Sequence, residues 1–242
     1  MIIMREDICT IPISEVFEPK DGCPICRMRN QLERRMVEYI TGAAMMEPDV
    51  RMETNRLGFC RHHFQMMLAQ RNRLSVALTL ESHLKELQKE FDAIAERGAS
   101  KGQPLELLKQ EASCFVCDKV QWGMERMLAT IFRLWQGEPD FAKLYGEQPC
   151  LCLPHAAVLL QEGQKQIHKK KYGDFSKVTA QLAKKYLDEV TGDISKYCSM
   201  YDYRNAGGDW GSSRDSIERA VWFLTSYPPA AATEKCEKKK GE

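Results

Sequence analysis

Cys23-Pro-Ile-Cys26 begins the first of two equivalent stretches that decide how this chain folds, and Cys60-Arg-His-His63 follows it. The second stretch begins with Cys114-Phe-Val-Cys117, and Cys152-Leu-Pro-His155 follows that. Each half of the chain therefore contains a CxxC motif, a long spacer and a CxxH motif. Cysteine and histidine at these spacings are typical ligands of a metal ion.

The two stretches are related by an internal repeat. The CxxC motifs are 114 − 23 = 91 residues apart, and the triplets Glu47-Pro48-Asp49 and Glu138-Pro139-Asp140 are 138 − 47 = 91 residues apart as well. The CxxH motifs are 152 − 60 = 92 residues apart, which one inserted residue explains. Features that coincide at one offset predict two copies of one structural unit.

Within each copy, the spacing predicts a site with three cysteines and one histidine. Residues three apart share one face of a helix, so a CxxC motif at a helix start directs both sulfurs to one point. The partial positive charge at that end of the helix favours the thiolate form. We expect one site from Cys23, Cys26, Cys60 and His63, and a second from Cys114, Cys117, Cys152 and His155.

Two positions leave a choice of ligand. His62 and His63 are adjacent, but only the position of His63 is histidine in both copies, so His63 is the expected ligand. Cys150 lies close enough to Cys152 in the sequence to replace it in the second site.

The ligand set favours zinc. A closed Cys₃His set is typical of structural zinc, so we expect two zinc ions. An iron–sulfur cluster is the main alternative, because thiolate-rich sites hold clusters and a histidine can replace a cysteine. Two other interpretations stay open: a redox-active dithiol in one CxxC motif, and buried cysteines that only fill the core.

Helical periodicity dominates the rest of the chain and predicts an all-α fold. Apolar residues recur at helical spacing in residues 24–41, 74–97 and 175–203, whereas residues 8–16 suggest a short strand. We expect two pseudo-repeated helical units, each pinned by its own Cys₃His site, followed by C-terminal helices. The expected boundaries are 1–98 for the first repeat with an N-terminal extension, 105–226 for the second repeat with the C-terminal helices, and 227–242 for a disordered tail.

The overall composition narrows the functional classes. The 242 residues include 35 Lys and Arg against 34 Asp and Glu, and this formal net charge of +1 argues against a nucleic-acid partner. No apolar run approaches the roughly 18 to 20 residues that span a bilayer, and no signal-peptide pattern opens the chain. Because we therefore expect a cytoplasmic protein, its ten cysteines indicate metal or redox chemistry rather than disulfides.

One C-terminal segment combines aromatic, charged and glycine residues. It runs from Tyr201-Asp-Tyr-Arg-Asn205 through two glycines to Asp209-Trp-Gly211. Such residues could line a pocket or a partner surface, although a loop folded back over the helices is the favoured interpretation. A small-molecule site away from the metals is first expected near Tyr203 and Trp210.

The chain resembles a bacterial family of unknown function. The resemblance rests on CPIC at residues 23–26, GFCRHH at 58–63 and YDYRN at 201–205 with the DWG that follows. Members of that family carry paired CxxC and CxxH motifs and an aromatic-Asp-Tyr-Arg segment. The resemblance extends from Cys23 to Leu224, and it implies paired motifs and a bacterial cytoplasmic setting without implying an activity.

These features favour a non-enzymatic protein in which two zinc sites brace a helical scaffold that binds a protein or a small molecule. A closed site has no position for water, and the sequence contains no glycine-rich phosphate loop, nucleophile elbow or HExxH motif. The alternative is an iron–sulfur oxidoreductase with a small-molecule site near the YDYR segment.

Overall fold

A computed structural model describes residues 11–99, 113–205 and 207–227, and over these ranges the protein is all-α, as predicted. Residues 11–17 are helical rather than extended, so the expected short strand is wrong over those residues. The described residues contain no strand. The α-helices of the described ranges are α1 Ile11–Phe17, α2 Pro24–Thr41, α3 Pro48–Leu57, α4 Arg61–Ala69, α5 Arg73–Arg97, α6 Phe115–Gly137, α7 Pro139–Gly146, α8 Leu153–Gln166, α9 Lys169–Ser199 and α10 Ser216–Thr225, with 3-10 turns at Ala43–Met46, Tyr203–Asn205 and Gly211–Ser213.

Proline, asparagine and glycine set several helix ends. Pro48 and Pro139 occupy the first turns of α3 and α7. N–H groups in the first turn make no hydrogen bond within the helix, so proline, which has no N–H, loses nothing there. The Asn72 side chain accepts a hydrogen bond from the backbone N–H of Ser75 and so caps α5. Gly58, with φ of 61°, follows α3 in a conformation that other residues rarely adopt, and its carbonyl accepts from Phe115 N.

The described chain forms two compact units. One unit comprises the residues up to Met28 together with those from Met127 onward, and the other comprises Arg29–Arg126. This division does not follow the two predicted repeats, because each unit contains the CxxC motif of one predicted copy and the CxxH motif of the other. The boundary between the units also differs from the linker expected between residues 98 and 105. The expected tail lies outside the described residues from position 228 onward.

In the unit formed by Arg29–Arg126, the core is built from α2, α4, α5 and α6. Cys114 and Phe115, at the start of α6, belong to this buried cluster, so the second CxxC motif borders the core. The other buried members are Val37, Ile40, Phe59, Met67, Val76, Val116 and Val120.

The other unit has an aromatic core. Phe17 packs edge-on against Phe141, with ring centroids 5.2 Å apart, and Trp135 packs edge-on against Phe175 at 5.3 Å. A side-chain methyl at Gly163 would lie 2.8 Å from the Phe175 ring, so α8 and α9 approach this closely only because that position is glycine. This packing positions the start of α8, which carries the second CxxH motif.

Candidate metal centres

The starts of α2 and α8 bring four of the predicted ligands together in what we call site I: Cys23, Cys26, Cys152 and His155. The Cys26 and Cys152 sulfurs are 3.6 Å apart. His155 Nδ1 lies 3.8 Å from Cys23 Sγ, 3.3 Å from Cys26 Sγ and 3.1 Å from Cys152 Sγ. All four residues belong to one compact unit, the one that includes Met127 onward.

The starts of α4 and α6 form the second cluster, site II: Cys60, His63, Cys114 and Cys117. The Cys60 and Cys117 sulfurs are 3.9 Å apart. His63 Nδ1 lies 3.2 Å from Cys60 Sγ, 3.3 Å from Cys114 Sγ and 3.5 Å from Cys117 Sγ. This site lies entirely within Arg29–Arg126.

The pairing of motifs within each repeat, as expected from the sequence, is wrong. The CxxC motif at Cys23 meets the CxxH motif at Cys152, and the CxxC motif at Cys114 meets the CxxH motif at Cys60. The helix that follows the first CxxC motif accounts for this exchange. Helix α2 begins in one compact unit and ends in the other, so the chain that returns to Cys60 does so in the unit that holds the start of α6.

Four equivalent half-sites build the two clusters. The first residue of each motif stands directly before a helix, and its carbonyl accepts the helix's first hydrogen bond: Cys23 from Arg27, Cys60 from Phe64, Cys114 from Asp118 and Cys152 from Ala156. Cys60 and Cys152 have almost the same backbone angles, φ of −71° and −72° with ψ of 162° and 158°. The second ligand follows one turn later on the same face. Each site is therefore a meeting of two helix N-termini, whose positive ends favour thiolates.

The two sites differ in their access to solvent. In site I all four residues are buried, from Cys152 at 0% exposed to His155 at 7%. In site II His63 and Cys114 are buried, but Cys60 is half-buried and Cys117 is exposed. Reagents in solution can therefore reach a sulfur of site II more easily than any sulfur of site I.

The thiols of site I resist ionising together. Burial would raise the pKa of Cys23, but hydrogen bonds with Cys152, Cys26 and His155 outweigh it and hold the pKa well below the usual value. Hydrogen bonds to Cys152 and Cys23 raise the pKa of Cys26, and the hydrogen bond to Cys23 raises the pKa of Cys152 to about 12. The arrangement therefore favours one thiolate and opposes the ionisation of a second thiol beside it, a repulsion that a bound cation would offset.

The pKa values of two ligands in site II are also shifted. Burial and the neighbouring Cys114 raise the pKa of Cys117. Burial, together with the nearby His62, lowers the pKa of His63 to about 4. At neutral pH the imidazole is therefore uncharged, which is the form that binds a metal through a ring nitrogen.

The remaining candidates lie outside the clusters. Cys150 is buried but contributes no ligand atom to site I, where Cys152 takes the position. His63 rather than His62 faces the sulfurs of site II. Cys198 is exposed on α9, and Cys9 and Cys236 lie outside the described residues.

A cavity of about 520 Å³ lies beside site I, within the same unit. Cys150 lies at its wall, and the Tyr186 and Trp222 rings pack edge to face across 5.5 Å. No residue of the YDYR segment lines it, so the cavity lies elsewhere than near Tyr203 and Trp210. The full lining is Asp21, Gly22, Pro149, Cys150, Lys185, Tyr186, Glu189, Glu218, Arg219 and Trp222.

The YDYR segment folds back onto α9. The Trp210 ring lies 5.3 Å from that of Tyr197 and 5.7 Å from that of Tyr201, both edge to face. Arg219 donates hydrogen bonds to Ser212 O at 2.6 Å and to the Asp193 carboxylate, which fixes the chain after Trp210. Within this loop Tyr203 stays 84% exposed.

Sequence reasoning missed one residue near site II. Glu33 is 7% exposed, and its two carboxylate oxygens face His62 and His63. The sequence could have indicated Glu33. It shares one helix face with Val37 and Ile40 at the i, i+4, i+7 spacing, and a charged residue on an apolar face is unusual.

The fold and the two clusters define a class: an all-α protein with two Cys₃His sets that could hold metal ions. The chain belongs to the family of unknown function DUF6062, which it matches over residues 4–231. No curated protein and no solved structure matches it. Within the described residues, no helix is long and apolar enough to cross a membrane.

Proposed function

We propose that sites I and II each bind one zinc ion and that the two ions brace a helical binding or scaffold module. With Zn–S of about 2.3 Å and Zn–N of about 2.0 Å, a tetrahedral site places its ligand atoms about 3.5 to 3.8 Å apart. Four of the six separations in each site, 3.1 to 3.8 Å in site I and 3.2 to 3.9 Å in site II, lie close to these edges, and the remaining ones are within 4.8 Å. This match is the observation that carries the proposal.

The short distances between the ligand atoms of each site favour a single ion over an iron–sulfur cluster. In an iron–sulfur cluster the protein ligands bind different iron atoms, so they are spread further apart than ligands around one ion. In each set here, all four ligand atoms lie within 4.8 Å of one another. Three thiolates and one imidazole around a single ion are typical of structural zinc.

A bracing role follows from what each ion would connect. In site I, Cys26 and Cys152 are 126 residues apart in the sequence, and in site II Cys60 and Cys117 are 57 apart. A set of four protein ligands leaves no open position for water or substrate. We therefore propose a non-enzymatic protein with a protein or small-molecule partner rather than a nucleic acid, working in the cytoplasm, where thiolates stay reduced.

Metal content tests this proposal directly. The full chain is purified without oxygen, its metals are measured by elemental analysis and its visible absorption is recorded. We expect a colourless protein with about two zinc ions per chain. Iron with sulfide and a brown colour would identify the redox alternative, and a folded protein without metal would contradict both.

A matched set of variants assigns the metals. Cys26→Ser should remove one equivalent and Cys117→Ser the other, because each removes one of four ligands. Cys198→Ser, which changes an exposed cysteine outside both sites, should remove none.

The cavity beside site I supports small-molecule binding as a second candidate function. The Tyr186 and Trp222 rings in its wall suit a flat aromatic molecule. The fluorescent dye 1-anilinonaphthalene-8-sulfonate has this chemistry and serves as a probe. We expect Trp222→Ala to abolish its binding and Trp122→Ala, which changes an exposed tryptophan in the other unit, to leave it unchanged. Equal binding by both variants would exclude this cavity as the site.

A further inference from the structure

His63 uses one ring nitrogen at site II and leaves the other buried without a partner. Its Nδ1 faces the three sulfurs of the site. Its Nε2 is buried and makes no hydrogen bond. The nearest acid is Glu33, whose Oε1 lies 3.9 Å from Nε2.

Metal binding would turn this nitrogen into an obligatory donor. A neutral imidazole that binds a metal through Nδ1 carries its proton on Nε2. A buried N–H without an acceptor is unfavourable. The buried carboxylate of Glu33 can accept this hydrogen bond, and an approach of about 1 Å brings the two groups to hydrogen-bond distance.

We propose that Glu33 is the positioning residue of site II: its carboxylate accepts the Nε2–H hydrogen bond of His63 and holds the imidazole on the metal. This inference rests on the proposed metal binding. A metal-bound histidine commonly donates its other N–H to a carboxylate, which fixes the ring and makes it a stronger ligand. The second oxygen, Oε2, lies 3.8 Å from Nε2 of His62 and faces that exposed ring.

The same three residues do not form a separate cation site. Glu33, His62 and His63 lie within 4.8 Å of one another, but a cation there would need the lone pair of His63 Nε2. That nitrogen holds a proton when Nδ1 binds metal, so it donates to Glu33 and does not coordinate.

The position that corresponds to Glu33 in the second predicted repeat is Met124, since 124 − 33 = 91. A methionine cannot accept a strong hydrogen bond from an imidazole, so the sequence does not repeat this carboxylate.

The test measures zinc affinity in the full chain by competition with a chromophoric chelator. We expect Glu33→Gln to weaken the binding of one of the two zinc ions by about 10- to 100-fold and to leave the binding of the other unchanged. Glu38→Gln, which changes an exposed glutamate on the same helix, should leave both unchanged. In a His63→Ala background, Glu33→Gln should cause no further loss, because the two residues act as one unit.

A second measurement separates positioning from packing. In the zinc-loaded protein, the Nε2 proton of His63 should be visible by nitrogen-15 NMR and exchange slowly. Glu33→Leu should speed its exchange strongly, and Glu33→Gln, which keeps an acceptor, should do so less. The melting temperature of the metal-free protein should hardly change in either variant.

The outcomes are distinct. A wild-type chain without zinc overturns both the proposed function and this inference. Two zinc ions with unchanged affinity in Glu33→Gln overturn the inference alone. A third metal equivalent that Glu33→Gln removes would make Glu33 a ligand, and an equal loss of stability with and without metal would make it a packing residue.

Discussion

Cys26 and Cys152 are 126 residues apart in the sequence, yet their sulfurs lie 3.6 Å apart. They come from different copies of the predicted repeat, and the same is true of Cys60 and Cys117, whose sulfurs lie 3.9 Å apart. Two metal ions bound in this way would each close a long loop of chain. Restricting long loops in the unfolded state stabilises the folded one, and for a metal the binding free energy adds to folding.

The exchanged pairing predicts which double substitutions are additive. Cys26→Ser with Cys152→Ser should remove one zinc equivalent, because both residues belong to site I. Cys26→Ser with Cys60→Ser should remove two, because these residues belong to different sites. Elemental analysis of the two purified variants decides the matter. The reverse result would restore the pairing within each repeat.

The difference in burial predicts the order in which the sites lose metal. Site II contains the exposed Cys117 and the half-buried Cys60, whereas every ligand of site I is at most 7% exposed. Chelator and alkylating agent should therefore react in two phases. Mass spectrometry should find modified Cys117 and Cys60 before any residue of site I, and the exposed Cys198 should be labelled before the ligands of either site. Simultaneous labelling of both sites would show that burial does not control access.

The raised thiol pKa values predict that the metal-free protein is sensitive to alkali. The pKa of Cys152 is raised to about 12 by its hydrogen bond to Cys23, and that of Cys150 to about 12 by burial, from 9.0 for an ordinary thiol. Above pH 9 the unfolded chain loses these protons while the folded chain keeps them. The stability that they contribute is therefore present below pH 9 and is lost as the pH rises towards 12.

Zinc should remove the part of this sensitivity that comes from Cys152, because a bound sulfur is already a thiolate, whereas Cys150, which is not a ligand, keeps its part. Melting temperatures at pH 8 and pH 10.5, with and without zinc, make the comparison. We expect a clear fall with pH in the metal-free protein and a smaller one in the loaded protein. Parallel falls in both forms would contradict this account.

Residues within a motif were predictable from the sequence, whereas the partners across motifs were not. The i, i+3 spacing of Cys114 and Cys117 fixes a shared helix face, and apolar periodicity places α2 and α5 within a few residues of their observed bounds. The pairing depends on which unit the chain returns to after α2, which local spacing does not encode. The role proposed for Glu33 likewise depends on the packing of α2 against α4.

The close approach of α8 and α9 predicts opposite effects for two glycine substitutions. At Gly163 a new methyl would lie 2.8 Å from Phe175, whose buried ring cannot easily move, so Gly163→Ala should destabilise the protein by about 1 to 3 kcal/mol. At Gly173, also helical, nothing lies within 4 Å. Alanine there should stabilise the protein by about 0.5 to 1 kcal/mol, because it lowers the entropy of the unfolded chain. Denaturant unfolding of both zinc-loaded variants measures this, and a neutral Gly163→Ala would mean that α8 and α9 pack less closely than the structure shows.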